Sequence, residues 1–206
     1  MKNLEEIGKF GPWITKVQIN GKNYGGEYDA SNDRRVLEFI SELKKAHGEN
    51  SKISILECGC LEGGHTIKLS QAFVNSSITA VDARDENLQK AIFHANLHGI
   101  SNVEFKTVDL ETETKIFESN YTAIFCVGLL YHLRNPDKFL ARCAKSSQMI
   151  WISTVISSEN DAIEIEKEIY RGKYYHEPIE HPLSGIRETS FFPSLGSLCN
   201  MLLNAG

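Results

Sequence analysis

The residues best equipped for chemistry are the acids and glycines of ILECGCLEGGHT, Ile55 to Thr66, with Asp82, Asp109 and the Tyr131–His132 pair further along. In the first stretch Glu57 precedes a turn holding Gly59 and Gly63–Gly64, glycines that permit positive φ and close approach of a ligand to the backbone. The acid-x-Gly-x-x-x-Gly spacing differs from the Gly-x-Gly-x-x-Gly that seats a dinucleotide pyrophosphate, and there is no P-loop Lys-Ser/Thr. The turn reads as a site for a nucleotide-like ligand; taken alone, a tight turn without a ligand explains it as well. Asp82 ends a hydrophobic run, where a carboxylate can accept from both hydroxyls of a ribose or merely cap the next helix. His132 is a candidate general base for a hydroxyl acceptor, with Tyr131 as a substrate-facing or cofactor-facing partner. Bracing of its own loop is the alternative for His132. Cys58, Cys60 and His65 match no common zinc spacing, so no metal site is expected.

These residues need a scaffold of alternating strands and helices. Strands are predicted at Ile53 to Leu56, Ser77 to Val81, Val103 to Val108, Tyr121 to Val127 and Met149 to Thr154. Helices are predicted in between: Thr66, Ile67, Leu69, Ala72 and Phe73 form one stripe, and Leu88, Ala91, Ile92 and Ala95 form the next, with Asp85 as N-cap and Gly99 as stop. Pro136 opens a third helix carrying Phe139, Leu140 and Cys143. Before the first strand, Asn32 or Asp33 caps a helix whose stripe is Val36, Leu37, Ile40 and Leu43, ending near Gly48. Such alternation predicts a doubly wound, mostly parallel sheet with ligands at the carboxyl ends of its strands.

The glycine turn resembles that of the class I S-adenosylmethionine-dependent methyltransferases, and GLLYHLRNP, Gly128 to Pro136, resembles their fourth-strand motif. Both are similar to uncharacterised bacterial methyltransferases of sugars or secondary metabolites and to the tRNA wobble-uridine oxyacetate enzymes. The likeness covers Arg34 to Gly206 and is strongest in the cofactor half. It implies a Rossmann-like α/β fold and S-adenosyl-L-methionine as cofactor, held by Glu57, Gly59, Cys60, Gly63, Asp82, Ala83, Asp109, Leu110 and Gly128. Within that set the resemblance puts the ribose on Asp82 and the adenine amino group on Asp109. The implied activity is O- or N-methylation of a small molecule or sugar. A tRNA-modifying methyl or carboxymethyl transferase is the second reading and a non-catalytic cofactor-binding protein the third. A dinucleotide oxidoreductase is an outside alternative that the glycine spacing opposes. Carboxymethyl transfer would need cations for the extra carboxylate, a part open to Arg134 and Arg171.

Composition bounds these readings. The 206 residues, 41% hydrophobic and 24% charged, suit one domain, and a net charge of −5 disfavours broad contact with nucleic acid without excluding a local patch. With neither a membrane-length apolar run nor a signal peptide, a soluble cytoplasmic protein is expected, with a homo-oligomer open. The five cysteines read as reduced core residues. Residues 1–32 are expected to form a cap over the cofactor cleft, with Trp13 and Tyr24 either touching substrate or packing in a satellite core. Ala162, Ile165 and Ile169 mark a short acidic helix. Residues 171–193 then read as a long loop, a substrate lid in which His176 and His181 are candidate bases or plain surface residues. A last stripe, Leu195, Leu198 and Leu202, runs to the terminus where the resembled family continues into two more strands. A five-stranded parallel sheet lacking that pair is therefore expected, with an unpaired edge prone to self-association and weak catalysis.

Overall fold

The computed structural model describes residues 2–158, 160, 163–164 and 170–206. The chain divides into two compact units, 1–108 and 109–206. The first contains α1 (Lys2–Lys9), β1 (Lys16–Ile19), β2 (Lys22–Gly25), α2 (Arg34–His47), β3 (Ser54–Cys58), α3 (Gly64–Ala72), β4 (Ser77–Asp82), α4 (Asp85–Leu97) and β5 (Val103–Thr107). The second contains β6 (Ala123–Val127), α5 (Pro136–Ser146), β7 (Ile150–Ser153), β8 (Ile163–Glu164), β9 (Arg171–His176), β10 (Thr189–Pro193) and α6 (Leu195–Ala205). The main sheet has five strands in the order β5-β4-β3-β6-β7, a Rossmann-like arrangement in which the chain reverses direction of growth after β5. In the first unit β3 runs parallel to β4 from Ser54↔Ser77 to Cys58↔Val81, and β4 to β5 from Ile78↔Val103 to Asp82↔Thr107. In the second, β6 runs parallel to β7 from Ile124↔Ile150 to Val127↔Ser153.

Local chemistry explains the helix limits, with two corrections. Asp33 caps α2 by accepting from the Arg35 N–H at 2.8 Å, and Gly48 ends it at φ +92°. Its buried stripe is Val36, Phe39, Ile40 and Leu43, while Leu37 is 40% exposed. Spacing i, i+3, i+4, i+7 keeps one face inward, and a residue next to Val36 sits about 100° round the helix. In α4 the N-cap position falls on Arg84, and Asp85 is the first helical residue. Asp82 accepts the Arg84 N–H at 2.9 Å instead, so the strand-end acid, not Asp85, serves the helix start.

The N-terminal segment has more order than its glycines suggested. β1 and β2 form an antiparallel hairpin, and Ile7, Trp13, Val17 and Ile19 are buried together with Phe10, Tyr24, Phe93 and Leu97 against them. Trp13 donates its indole N–H to the Ile7 carbonyl at 3.1 Å. Trp13 and Tyr24 thus belong to a satellite core resting on α4. Glu62, only 1% exposed, fastens this segment: its carboxylate accepts from the N–H groups of Ile14 and Thr15 at 2.9 and 2.6 Å and from Lys90 Nζ at 3.0 Å.

In the second unit α5 starts at Pro136 and buries Phe139, Leu140 and Cys143. The expected loop over 171–193 is instead an antiparallel hairpin of β9 and β10, joined by β8 into a separate three-stranded sheet. Arg171 to His176 is exposed at every position but Gly172, so it carries no apolar alternation to announce a strand. Gly172 is required there, because a Cβ would lie 2.3 Å from Phe191 Cζ. The expected helix on Ala162, Ile165 and Ile169 falls on positions outside the described residues, and Ile163–Glu164 between them pair as β8. In α6 the buried residues are Ser197, Leu198 and Met201, with Leu195 56% exposed.

Candidate active site

In the first unit the site is built on the turn from β3 into α3. Gly59 and Gly63 both take φ +78°, and Gly63 is the left-handed N-cap of α3. The N–H groups of Gly59 and Cys60 both donate to the Val81 carbonyl at 2.9 Å, which ties the turn to the end of β4. A Cβ on Gly63 would come within 3.0 Å of Ala91, so this glycine is demanded by the packing of α3 on α4 as well as by its φ. Leu61 also has positive φ, +49°, a conformation costing an L-residue roughly 1–2 kcal/mol. Asp82 holds it there by accepting the Leu61 N–H on Oδ2 at 2.9 Å.

Asp82 is nearly buried at 9% exposure and also takes Arg84 N–H at 2.9 Å and Asn87 Nδ2 at 3.2 Å on Oδ1. A carboxylate has about four lone-pair positions, so about one acceptor position remains. Burial raises its pKa, and the three donors oppose that rise. Glu57 is 1% exposed with no hydrogen-bond partner for Oε2 among the described residues. Burial pushes its carboxyl up to about 8, with the nearby charge of Asp82 adding to the shift. A buried carboxyl with an orphan oxygen fits a ligand that brings a positive group, as the amino-acid end of S-adenosylmethionine does. Cys60 is equally enclosed and burial pushes its thiol well up, which makes it a packing residue rather than a nucleophile. Ala83 follows Asp82, half-buried. Among the described residues no cluster of three or more His, Cys, Asp or Glu is arranged for a metal.

Sequence reasoning missed a second cluster in this unit. Tyr28 donates its hydroxyl to Asp33 in a short bond, His65 Nε2 lies 2.8 Å from that hydroxyl and 2.9 Å from Asp33 Oδ2, and Arg35 donates from Nη2 to the same oxygen at 2.5 Å. Burial lowers the His65 pKa, while burial and the Asp33 hydrogen bond raise that of Tyr28. The cluster joins the cap segment, the start of α2 and the start of α3.

In the second unit Gly128 follows β6 at φ +75°, and a Cβ there would lie 3.8 Å from the Tyr131 hydroxyl. Tyr131 and His132 lie in a single 3-10 turn, Leu130–His132, with ring centroids 4.2 Å apart. His132 Nδ1 is 2.8 Å from both carboxylate oxygens of Glu177, a residue 3% exposed that also accepts the Gly185 N–H at 2.6 Å. An ionised carboxylate only accepts, so Nδ1 carries the proton and Nε2 keeps its lone pair in the neutral ring. Glu177 could not have been singled out from sequence, since forty-five residues separate it from His132. The other histidines of that segment, His176 and His181, are exposed.

Asp109 has its carboxylate engaged, Oδ1 by the Glu111 N–H at 3.0 Å and Oδ2 by Arg187 Nη2 at 2.7 Å. Arg187 Nε also donates to Glu111 Oε2 at 2.7 Å, and Glu111 Oε1 takes the N–H groups of Arg134 and Asn135 at the start of α5. Leu110 is buried, and its carbonyl accepts from Arg142 Nη2 at 2.6 Å.

A parallel sheet of this order, with a glycine turn after β3 and an acid ending β4, defines a Rossmann-like nucleotide-binding protein. A family model described as a methyltransferase domain matches residues 49–177, more than half of the chain. The chain belongs to the class I S-adenosylmethionine-dependent methyltransferases. The N-terminal domain of EvdMO1, solved in the presence of S-adenosylhomocysteine (SAH) and D-fucose, is similar with a TM-score of 0.85 and 28% identity, covering 100% of this chain and 85% of that one. The ubiquinone biosynthesis O-methyltransferase of Rickettsia prowazekii (strain Madrid E) is 27% identical over 141 residues, 67% of this chain and 52% of that protein. The enzyme of the same name from Rickettsia akari (strain Hartford) is 30% identical over 158 residues, 73% and 59% respectively. The chain therefore spans between half and two-thirds of the length of these curated relatives.

Proposed function

We propose that this chain transfers the methyl group of S-adenosylmethionine to a hydroxyl of a small molecule, with His132 as general base and Glu177 holding it. The observation that carries this reading is the His132–Glu177 pair at 2.8 Å. A sulfonium cofactor supplies an electrophilic methyl group, and what the protein must add is position, exclusion of water and a place for the acceptor proton. Glu57, the β3–α3 turn and Asp82 are the residues to hold the cofactor in the first unit. Glu177 fixes the imidazole tautomer, and His132 Nε2 takes the proton as the hydroxyl oxygen attacks. Nitrogen acceptors with a free lone pair need no such base, so the pair favours oxygen. The O-methyltransferase names of the relatives and the D-fucose in the EvdMO1 crystal support an acceptor of this kind.

The test is methyl transfer from labelled S-adenosylmethionine to a panel of sugars and phenols. His132→Gln should lower kcat by about 10²–10⁴ with SAH affinity intact, since a general base contributes on that order. Full activity in folded His132→Gln would overturn the assignment.

A further inference from the structure

His132 sits in a closed circuit of contacts that lies wholly within the second unit. On one side the chain runs two residues on to Arg134, whose N–H donates to Glu111 Oε1 at 2.9 Å, as does that of Asn135. Glu111 Oε2 accepts from Arg187 Nε at 2.7 Å. Two residues back from Arg187, the Gly185 N–H donates to Glu177 Oε2 at 2.6 Å, and His132 Nδ1 lies 2.8 Å from that same oxygen. The segment completing the circuit, 177–188, is pinched at its base, where the Glu177 N–H donates to the Glu188 carbonyl at 2.8 Å. It is also pressed close on the histidine: a Cβ on Gly185 would lie 3.1 Å from His132 Cβ and 3.3 Å from Glu177 Oε2.

Charge decides what holds the circuit shut. The Glu111 side chain is 7% exposed, and a carboxylate so enclosed needs a cation beside it, which Arg187 supplies. The guanidinium donates in two directions, from Nε to Glu111 and from Nη2 to Asp109 Oδ2 at 2.7 Å, a fork that an ammonium cannot copy. Fixing Arg187 fixes the backbone at Gly185, and with it the donor that orients the Glu177 carboxylate toward the imidazole.

We infer that Glu111 and Arg187 are positioning residues for His132: through 177–188 and Glu177 they keep the proton on Nδ1 and the Nε2 lone pair free. The inference rests on the reading of His132 as base and names what keeps that base in its working tautomer. An imidazole released from Glu177 distributes its proton over both nitrogens, and the fraction carrying it on Nε2 has no lone pair there for a hydroxyl proton.

Long-range 1H–15N spectra of the imidazole rings test this on SAH-saturated protein, read on the neutral ring between pH 7 and 9, with the His132 signals assigned by their loss in His132→Gln. In wild type Nδ1–H should exceed Nε2–H by about tenfold or more, the worth of one charge-assisted hydrogen bond. Arg187→Ala and Arg187→Lys should both lower that ratio about threefold or more with SAH affinity unchanged. Glu111→Gln should do the same, since its carboxamide oxygen still accepts from Arg134 and Asn135 but the group cannot neutralise the guanidinium. The Arg187→Ala/Glu111→Gln double variant should fall no further than either single variant, because the two residues act as one link. A wild-type ratio in folded Arg187→Lys or Glu111→Gln, additive losses in the double variant, or Nε2–H predominating in wild type would each overturn the inference. Because the readout is the tautomer, it holds or fails separately from the general-base role, which only methyl transfer by His132→Gln reports.

Discussion

Replacing Glu57 by Gln should remove a pH dependence of stability that the native chain carries. The Glu57 carboxyl is buried and titrates near 8, against an ordinary value of 4.5. The unfolded chain therefore gives up this proton first, and the folded state binds more protons throughout the window between those values. Its contribution to stability is complete below about pH 4.5 and is lost as pH rises toward 8. A shift of roughly three and a half units at about 1.36 kcal/mol each amounts to about 5 kcal/mol, a large share of the stability of a domain this size. Urea unfolding at pH 5, 6, 7 and 8 reads it directly: wild type should lose several kcal/mol more than Glu57→Gln across that range. His94, held near 4 by burial, titrates identically in both proteins and cancels in the difference. SAH should flatten the wild-type slope, because a cationic group against the orphan oxygen favours the ionised form, and its binding at pH 7 should release a proton that buffer-dependent calorimetry detects. Parallel pH slopes for wild type and Glu57→Gln would refute the reasoning.

Glu62→Ala leaves two backbone N–H groups and the Lys90 ammonium without their acceptor, so unfolding free energy should fall by about 3 kcal/mol or more and residues 10–25 should become the first protease target; an unchanged denaturation midpoint would count against that anchor. Asp82→Ala should cost at least about tenfold in SAH affinity and also about 1–2 kcal/mol of stability, since the Leu61 and Arg84 N–H groups lose their partner; unaltered SAH binding in the folded variant would remove Asp82 from the site. Arg187→Ala should speed proteolysis within 177–188 while SAH still binds, and equal cleavage rates in both proteins would show that the Asp109 and Glu111 contacts do not hold this segment.

The parts of this fold that could be read from the sequence are those where periodicity and burial coincide. β3, β4 and β6 are apolar runs ending in an acid or a glycine, and α5 opens on a proline, so their order and limits follow from local rules. The β9–β10 hairpin escaped because β9 exposes nearly every side chain, which leaves a strand with the composition of a loop. In α2 the period itself separates Leu37 from Phe39: Phe39 is three residues after Val36 and shares its buried face, while Leu37, one residue on, turns outward. At the candidate site, Asp82 stands out by its position at the end of β4 and His132 by its place in the segment that follows β6. Their partners do not, because Leu61 acts through its backbone and Glu177 arrives from a distant segment. Glu62 likewise carries no sequence signal of its anchoring part, because the groups it accepts from are backbone N–H groups of Ile14 and Thr15 in a distant segment.

The left-handed Leu61 held by Asp82 has a kinetic consequence. The turn already has its shape through contacts internal to the first unit, with Asp82, Val81 and Ala91 fixing it from three sides. A cofactor arriving at such a turn meets a receptor that needs little ordering, so the entropic penalty of association is small and encounter, not loop closure, limits the on-rate. Analogues that differ at the sulfur or in the amino-acid tail should then enter at nearly the same rate and be told apart by how long they stay.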